Sequence, residues 1–177
     1  MRVLRQYLSP KGYKVVSPNS MAPIYLLENG MRSIRPDILI YEHDRPLLII
    51  DAKYKNYTEL GKSAGNKAHV SREDLYQLVA YIHYYASTDY LRNRKLAAIF
   101  SAPVLDKSEK LYDFNENRLH SLGLINLNLD GIDDIIKKNG YPEGLKELRK
   151  REKAYGDRIL RILTTVSGSE SQTPLSE

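Results

Sequence analysis

The 177-residue chain contains no cysteine, which excludes disulfides, zinc–cysteine sites and iron–sulfur clusters. Tryptophan is also absent and phenylalanine occurs only twice, so the aromatic character rests on 14 tyrosines. Most of these read as core or rim residues. No apolar run approaches the roughly 20 residues needed to cross a bilayer. The opening Met1-Arg2-Val3-Leu4-Arg5-Gln6-Tyr7 lacks the apolar stretch of a secretory signal. A cytoplasmic location without membrane attachment is expected by elimination. The four histidines, His43, His69, His83 and His120, show no metal-ligand spacing, and His83 reads as a packed core residue.

What remains is an ordinary globular composition, 42% hydrophobic and 28% charged, long enough for one domain with a real core. The formal net charge is +5, the electrostatic footprint expected of a protein that meets phosphate backbones. Residues 3–8 read as a short helix ended by Ser9-Pro10 and Lys11-Gly12. Residues 23–28 read as a strand, followed by the hairpin signal Asn29-Gly30. The next strand runs from Met31 to Tyr41, with Pro36 marking an edge or bulge. Residues 46–50 form a continuous apolar run, the pattern of a buried central strand. A polar, Lys-rich loop spans 54–70. Ser71 then caps a helix whose apolar face is Leu75, Leu78, Val79, Ile82 and Ala86. Strands follow at 95–101 and at 125–129, where Ile125, Leu127 and Leu129 alternate with asparagines. A last helix runs from about Pro142 to Val166, weakened at Gly156. Residues 1–166 read as a single domain and 167–177 as a disordered tail. This order predicts an α/β sandwich around a mixed sheet.

The stretch that carries chemistry is Arg35-Pro36-Asp37 followed by Asp51-Ala52-Lys53. Asp51 and Lys53, two apart on a strand, point to one face. A hairpin centred on Asp44, with His43-Asp44-Arg45 as its loop, pairs Tyr41 with Leu47, Leu39 with Ile49, and Asp37 with Asp51. Carboxylates opposed at about 4.5–5.5 Å repel, and a hard divalent cation removes that conflict. Mg²⁺ takes one or two carboxylates with waters and substrate phosphate. Asp37, Asp51 and the Ala52 carbonyl are the candidate ligands, with Mg²⁺ or Mn²⁺ as the cofactor. The chemistry this arrangement suits is phosphodiester hydrolysis, with Lys53 orienting the attacking water or stabilising the transition state. The bland reading is a surface hairpin end with a charge-paired Asp and Lys.

Pro36-Asp37, Asp51-Ala52-Lys53 with Tyr54-Lys55, and Asp74-Leu75-Tyr76-Gln77-Leu78-Val79-Ala80-Tyr81 together resemble the PD-(D/E)xK nuclease superfamily, nearest to McrC-type restriction nuclease subunits. The last segment is similar to the Gln-x-x-x-Tyr helix of its RecB-like branch. The resemblance covers about residues 23–102. It implies a three-layer restriction-endonuclease-like sandwich, a central mixed sheet flanked by helices, that cleaves DNA in restriction, defence or repair. It further implies Asp37 and Asp51 as metal ligands, Lys53 as the catalytic lysine, and Gln77 and Tyr81 lining the site. From spacing alone Gln77 and Tyr81 share a helix face with Asp74 and Tyr84, away from the apolar stripe, and a merely solvent-facing role stays open. One departure is the extra acidic ligand that many relatives carry on the first helix. Glu28, the only acidic residue before Asp37, lies about 20 Å up-strand at 3.3 Å per residue.

Lys55, Lys62, Lys67 and Arg72, with His69, flank the candidate site as a phosphate clamp or as a solvated loop. The last helix lays Lys146, Arg149, Lys150, Arg151, Lys153, Arg158 and Arg161 over an apolar face, a pattern that favours solvation over DNA contact. The chain has no glycine-rich phosphate loop, so any energy needed must come from a separate NTPase or helicase motor subunit. Cutting both strands would favour a homodimer or larger assembly. The rival to a nuclease is a non-catalytic DNA-binding module on the same scaffold, marked by salt-sensitive binding without cleavage.

Overall fold

The computed structural model describes residues 2–17, 24–25, 33–53, 70–87, 94–102, 110–114, 120–126 and 129–168. Helix α1 (Arg2–Leu8) runs into a 3-10 turn, and Gly12 at φ 89° reverses the chain into strand β1 (Tyr13–Val16). There follow β2 (Ile24–Tyr25), β3 (Ser33–Ile34), β4 (Ile38–Glu42), β5 (Arg45–Ala52), α2 (Arg72–Ala86), β6 (Leu96–Ala102), β7 (Lys110–Phe114), β8 (His120–Asn126), α3 (Ile132–Asn139) and α4 (Tyr141–Gly168). Six strands form one mixed sheet in the order β1-β4-β5-β6-β8-β7, and β2 and β3 pair separately. Parallel pairing joins β5 to β6 and β6 to β8, and the remaining pairs are antiparallel.

Alternation along the strands builds the three layers. Leu48 and Ile50 of β5 and Ala97 and Ile99 of β6 face α1 and α4, packing on Leu4, Leu8, Ile159 and Leu163. Ile49, Ala98 and Phe100 face the other way, onto Leu78, Tyr81 and Ile82 of α2. Helix α2, between the parallel neighbours β5 and β6 in the chain, packs across their faces, and its first turns meet Lys53 at the C-terminal end of β5. That end of an α/β sheet is where ligands generally bind.

The hairpin reaches the predicted Leu39–Ile49 pairing by a different route. The turn is two residues, His43-Asp44, with His43 at φ 55°, so Glu42 faces Arg45 and Tyr41 faces Pro46 rather than Leu47. A bulge between Ile40 and Tyr41 then takes up Leu47, and Leu39 faces Ile49 as expected. Pro46, with no N–H to give a ladder, accounts for the bulge in an otherwise fully buried strand. Leu47 and Leu48 consequently both enter the α4-side core.

Other expectations are corrected. The single strand from Met31 to Tyr41 is broken at Arg35-Pro36-Asp37, where Pro36 separates β3 from β4. Of the half-buried strand expected at 125–129, Ile125 and Asn126 instead end β8, which is buried from His120 to Ile125 because it lies inside the sheet; residues 127 and 128 lie outside the described residues, and Leu129 is exposed. Strands β1 and β7 and helix α3 escape the sequence pattern. The last helix runs two residues further, and Ser167 bonds Glu42, so the expected tail at 167–177 does not begin at 167. Gly156 is a contact rather than a defect: a Cβ there would stand 2.8 Å from the Tyr7 ring, so glycine lets α1 lie against α4. The Asn29-Gly30 turn, Glu28, the 54–69 loop and residues 169–177 lie outside the described residues.

Candidate active site

Three chain segments meet at the end of β5. Asp37 stands just before β4, where its N–H bonds the Ile50 carbonyl at 3.1 Å and its Oδ2 accepts from the Ala52 N–H at 2.7 Å. The carboxylate thus closes the strand end where the backbone ladder stops. Asp51 follows Ile49 on the α2 side of β5 and is only 4% exposed. Lys53 follows Asp51, its N–H fixed to the Ser101 carbonyl of β6 at 2.9 Å. The third segment is α2, started by the Ser71 hydroxyl accepting from the Asp74 N–H at 3.1 Å. That cap sets the helix phase, and the i, i+3, i+7 spacing then turns Asp74, Gln77 and Tyr81 onto one face.

These side chains close a ring. The Lys53 ammonium donates to Gln77 Oε1 at 2.9 Å, Gln77 Nε2 donates to the Tyr81 hydroxyl at 2.7 Å, and that hydroxyl reaches Asp51 Oδ2 at 3.5 Å. Asp51 Oδ1 lies 3.3 Å from Lys53 Nζ, completing the circuit. Lys53 also pairs with Asp74 Oδ1 at 3.4 Å and sits over the Phe100 ring at 5.5 Å. Gln77 and Tyr81 therefore do not face solvent. Tyr81 is fully buried in the core between α2 and the sheet, and Asp74 is buried with it, whereas Tyr84 of the same predicted stripe is exposed. Asp74 and Tyr81 thus belong to the packing face, Gln77 is half-buried at its edge, and Tyr84 lies outside it.

Electrostatics single out Asp51. Burial pushes its carboxyl from 3.8 up to about 6; Lys53 opposes the rise, and the charges of Asp37 and Asp74 add to it. Burial, and then the charge of Asp51, also raise the Tyr81 hydroxyl above its ordinary value. A buried carboxylate among like charges, held by one ammonium, has a donor set of oxygens alone. Among the described residues no three His, Asp or Glu side chains converge as a closed metal cage. The oxygens that a hard cation could take here, together with waters, are those of Asp37, Asp51 and the Ala52 carbonyl.

Of the predicted site residues, Asp37, Asp51, Ala52, Lys53, Gln77 and Tyr81 come together. Arg72 is exposed at the start of α2, and Lys55, Lys62 and Lys67 lie outside the described residues. His83 is exposed rather than packed in the core, because it falls one position past the buried pair Tyr81 and Ile82. Asp74, which the spacing puts on the Gln77 and Tyr81 face without a role at the site, joins it through its 3.4 Å contact with Lys53.

No curated protein shows significant similarity to the sequence. The fold is similar to a chain of the half-complex refined from the tetradecameric assembly of Thermococcus gammatolerans McrB AAA+ hexamers with bound McrC. The TM-score is 0.53 at 15% identity, over 91% of this chain and 31% of that one. The chain thus spans about a third of that solved chain's length. The model of the McrBC 5-methylcytosine restriction system component family matches residues 2–91, half of the sequence, including both carboxylates, the lysine and all of α2. The chain belongs to the family of McrBC 5-methylcytosine restriction system components.

Proposed function

We propose that this chain is the DNA-cleaving part of a restriction system, a Mg²⁺- or Mn²⁺-dependent deoxyribonuclease of the PD-(D/E)xK kind. The observation that carries the reading is the buried Asp51 carboxylate, braced by Lys53 and Tyr81, with Asp37 fixed beside it across the strand end. Burying a carboxylate near others costs stability, and a site for a divalent cation and a phosphate is the use that offsets this cost. Asp37, Asp51 and the Ala52 carbonyl would hold the metal. When bound, the metal lowers the pKa of a coordinated water and screens the phosphate. Lys53, aimed by its ring of partners, places a positive charge where negative charge develops on the phosphate oxygens. Gln77 and Tyr81 hold that ammonium and the Asp51 carboxylate in fixed relation, a preorganisation that water could not provide.

The partner we propose is a separate NTPase. This chain has no phosphate-binding loop, and the similar structure is of McrB AAA+ hexamers with bound McrC. DNA is the proposed substrate, in keeping with the basic net charge of +5. The test is incubation of linear, circular and single-stranded DNA with the chain and Mg²⁺ or Mn²⁺, with and without an AAA+ partner and nucleotide. Metal-dependent cleavage that EDTA stops is expected. Salt-sensitive binding without cleavage in every combination would replace the reading with a DNA-binding module.

A further inference from the structure

The first turn of α2 carries two acidic residues, Glu73 and Asp74, with separate roles. Glu73 is exposed, and its own backbone N–H and the Ser71 hydroxyl hold its carboxylate below the usual range. It therefore serves the helix N-terminus, where acidic groups are favoured. Asp74 gives the cap only its backbone N–H. Its side chain turns inward, the residue is 8% exposed, and Oδ1 lies 3.4 Å from Lys53 Nζ. A helix that needed only a dipole partner has one in Glu73, and a carboxylate buried for that purpose would lose hydration for nothing.

An ammonium has three N–H groups, and Lys53 meets three acceptors: Gln77 Oε1 at 2.9 Å, Asp51 Oδ1 at 3.3 Å and Asp74 Oδ1 at 3.4 Å. They are not equivalent once the site is in use. Gln77 is neutral, and Asp51 is the carboxylate assigned to the cation, whose charge opposes its hold on Lys53. Among the described residues Asp74, one helical turn before Gln77, is the negative charge left to Lys53. We infer that Asp74 is a positioning residue of the cleavage reaction, the counter-charge that keeps the Lys53 ammonium aimed at the phosphate while Asp51 serves the metal. This rests on the nuclease reading of Lys53.

The test uses Asp74→Asn and Asp74→Glu in the full chain. Single-turnover cleavage by Asp74→Asn falls roughly ten- to a hundredfold, the scale of one charged hydrogen bond, with DNA affinity within about twofold of wild type. Asp74→Glu recovers part of that rate. In metal-free protein, urea unfolding of Asp74→Asn, Lys53→Met and the double variant reads the contact without any cleavage. The double variant's loss in folding constant falls short of the product of the single losses by about three- to tenfold. Cleavage by Asp74→Asn within twofold of wild type, or unfolding effects that simply multiply, would overturn the role of Asp74. With the AAA+ partner and nucleotide supplied, coupled unfolding and no cleavage by the wild type supports the Lys53–Asp74 contact and overturns the nuclease reading instead.

Discussion

Replacing Asp51 with asparagine removes the charge on which the proposed chemistry depends, and the protein without metal becomes more stable for it. The Asp51 carboxyl is raised from 3.8 to about 6 by burial, against the pull of Lys53. An acid with a higher pKa in the folded than in the unfolded state takes up a proton on folding between those two values. Stability is therefore lost as pH rises from about 4 to 6 and stays reduced above 6. Two pH units at 1.36 kcal/mol each amount to about 2–3 kcal/mol at neutral pH. Asparagine keeps the shape and an acceptor for the Tyr81 hydroxyl, while Lys53 retains Gln77 and Asp74. Calorimetry at pH 7 in EDTA is expected to show Asp51→Asn melting about 4–12 °C above wild type, the gap closing as pH falls toward 4. Added Mg²⁺ or Mn²⁺ raises the wild type's melting temperature and leaves the variant's unchanged. A variant that melts at or below wild type in EDTA at pH 7, or a gap that does not change with pH, would refute the reasoning.

Tyr81→Phe keeps the core volume but strips the Gln77 amide of its acceptor. We expect about 1 kcal/mol of lost stability by urea titration and a cleavage rate down about tenfold. Gly156→Ala drives a Cβ into the Tyr7 ring at 2.8 Å. It should cost about 1–3 kcal/mol by overpacking, and Tyr7→Ala in the same chain should recover part of the loss. Tyr155→Phe removes the 2.8 Å bond to the Ser101 hydroxyl on the α4 side of the sheet. It is expected to lower stability by about 1–2 kcal/mol while leaving the cleavage rate within about twofold.

The candidate site was legible because its signals are local or periodic. Asp51-Ala52-Lys53 ends an apolar run that only a central strand explains, and Gln77 and Tyr81 share a helix face by spacing alone. The expected three-residue turn at His43-Asp44-Arg45 is instead the two-residue His43-Asp44. The bulge at Leu47 restored the register, so two deviations cancelled before reaching Leu39 and Ile49. Pro46 was the residue that could have announced the bulge. The burial of Asp74 and Tyr81 was not legible, since a polar residue beside an apolar stripe reads as exposed until the sheet above it is known. Strands β1 and β7 were missed because one is four residues and the other mixes Lys, Tyr and Asp, so neither gives a run or a clear alternation. Strand β8 misled for the opposite reason: the sequence alternation from Ile125 to Leu129, most of it past the strand's end at Asn126, is stronger than the pattern in its buried body.

The most direct measurement is single-turnover DNA cleavage by wild type and Asp51→Ala, side by side in Mg²⁺, with the AAA+ partner and nucleotide supplied and folding of both proteins verified by melting. The account predicts cleavage by wild type and none above the EDTA background by Asp51→Ala. Cleavage by folded Asp51→Ala at the wild-type rate would contradict it.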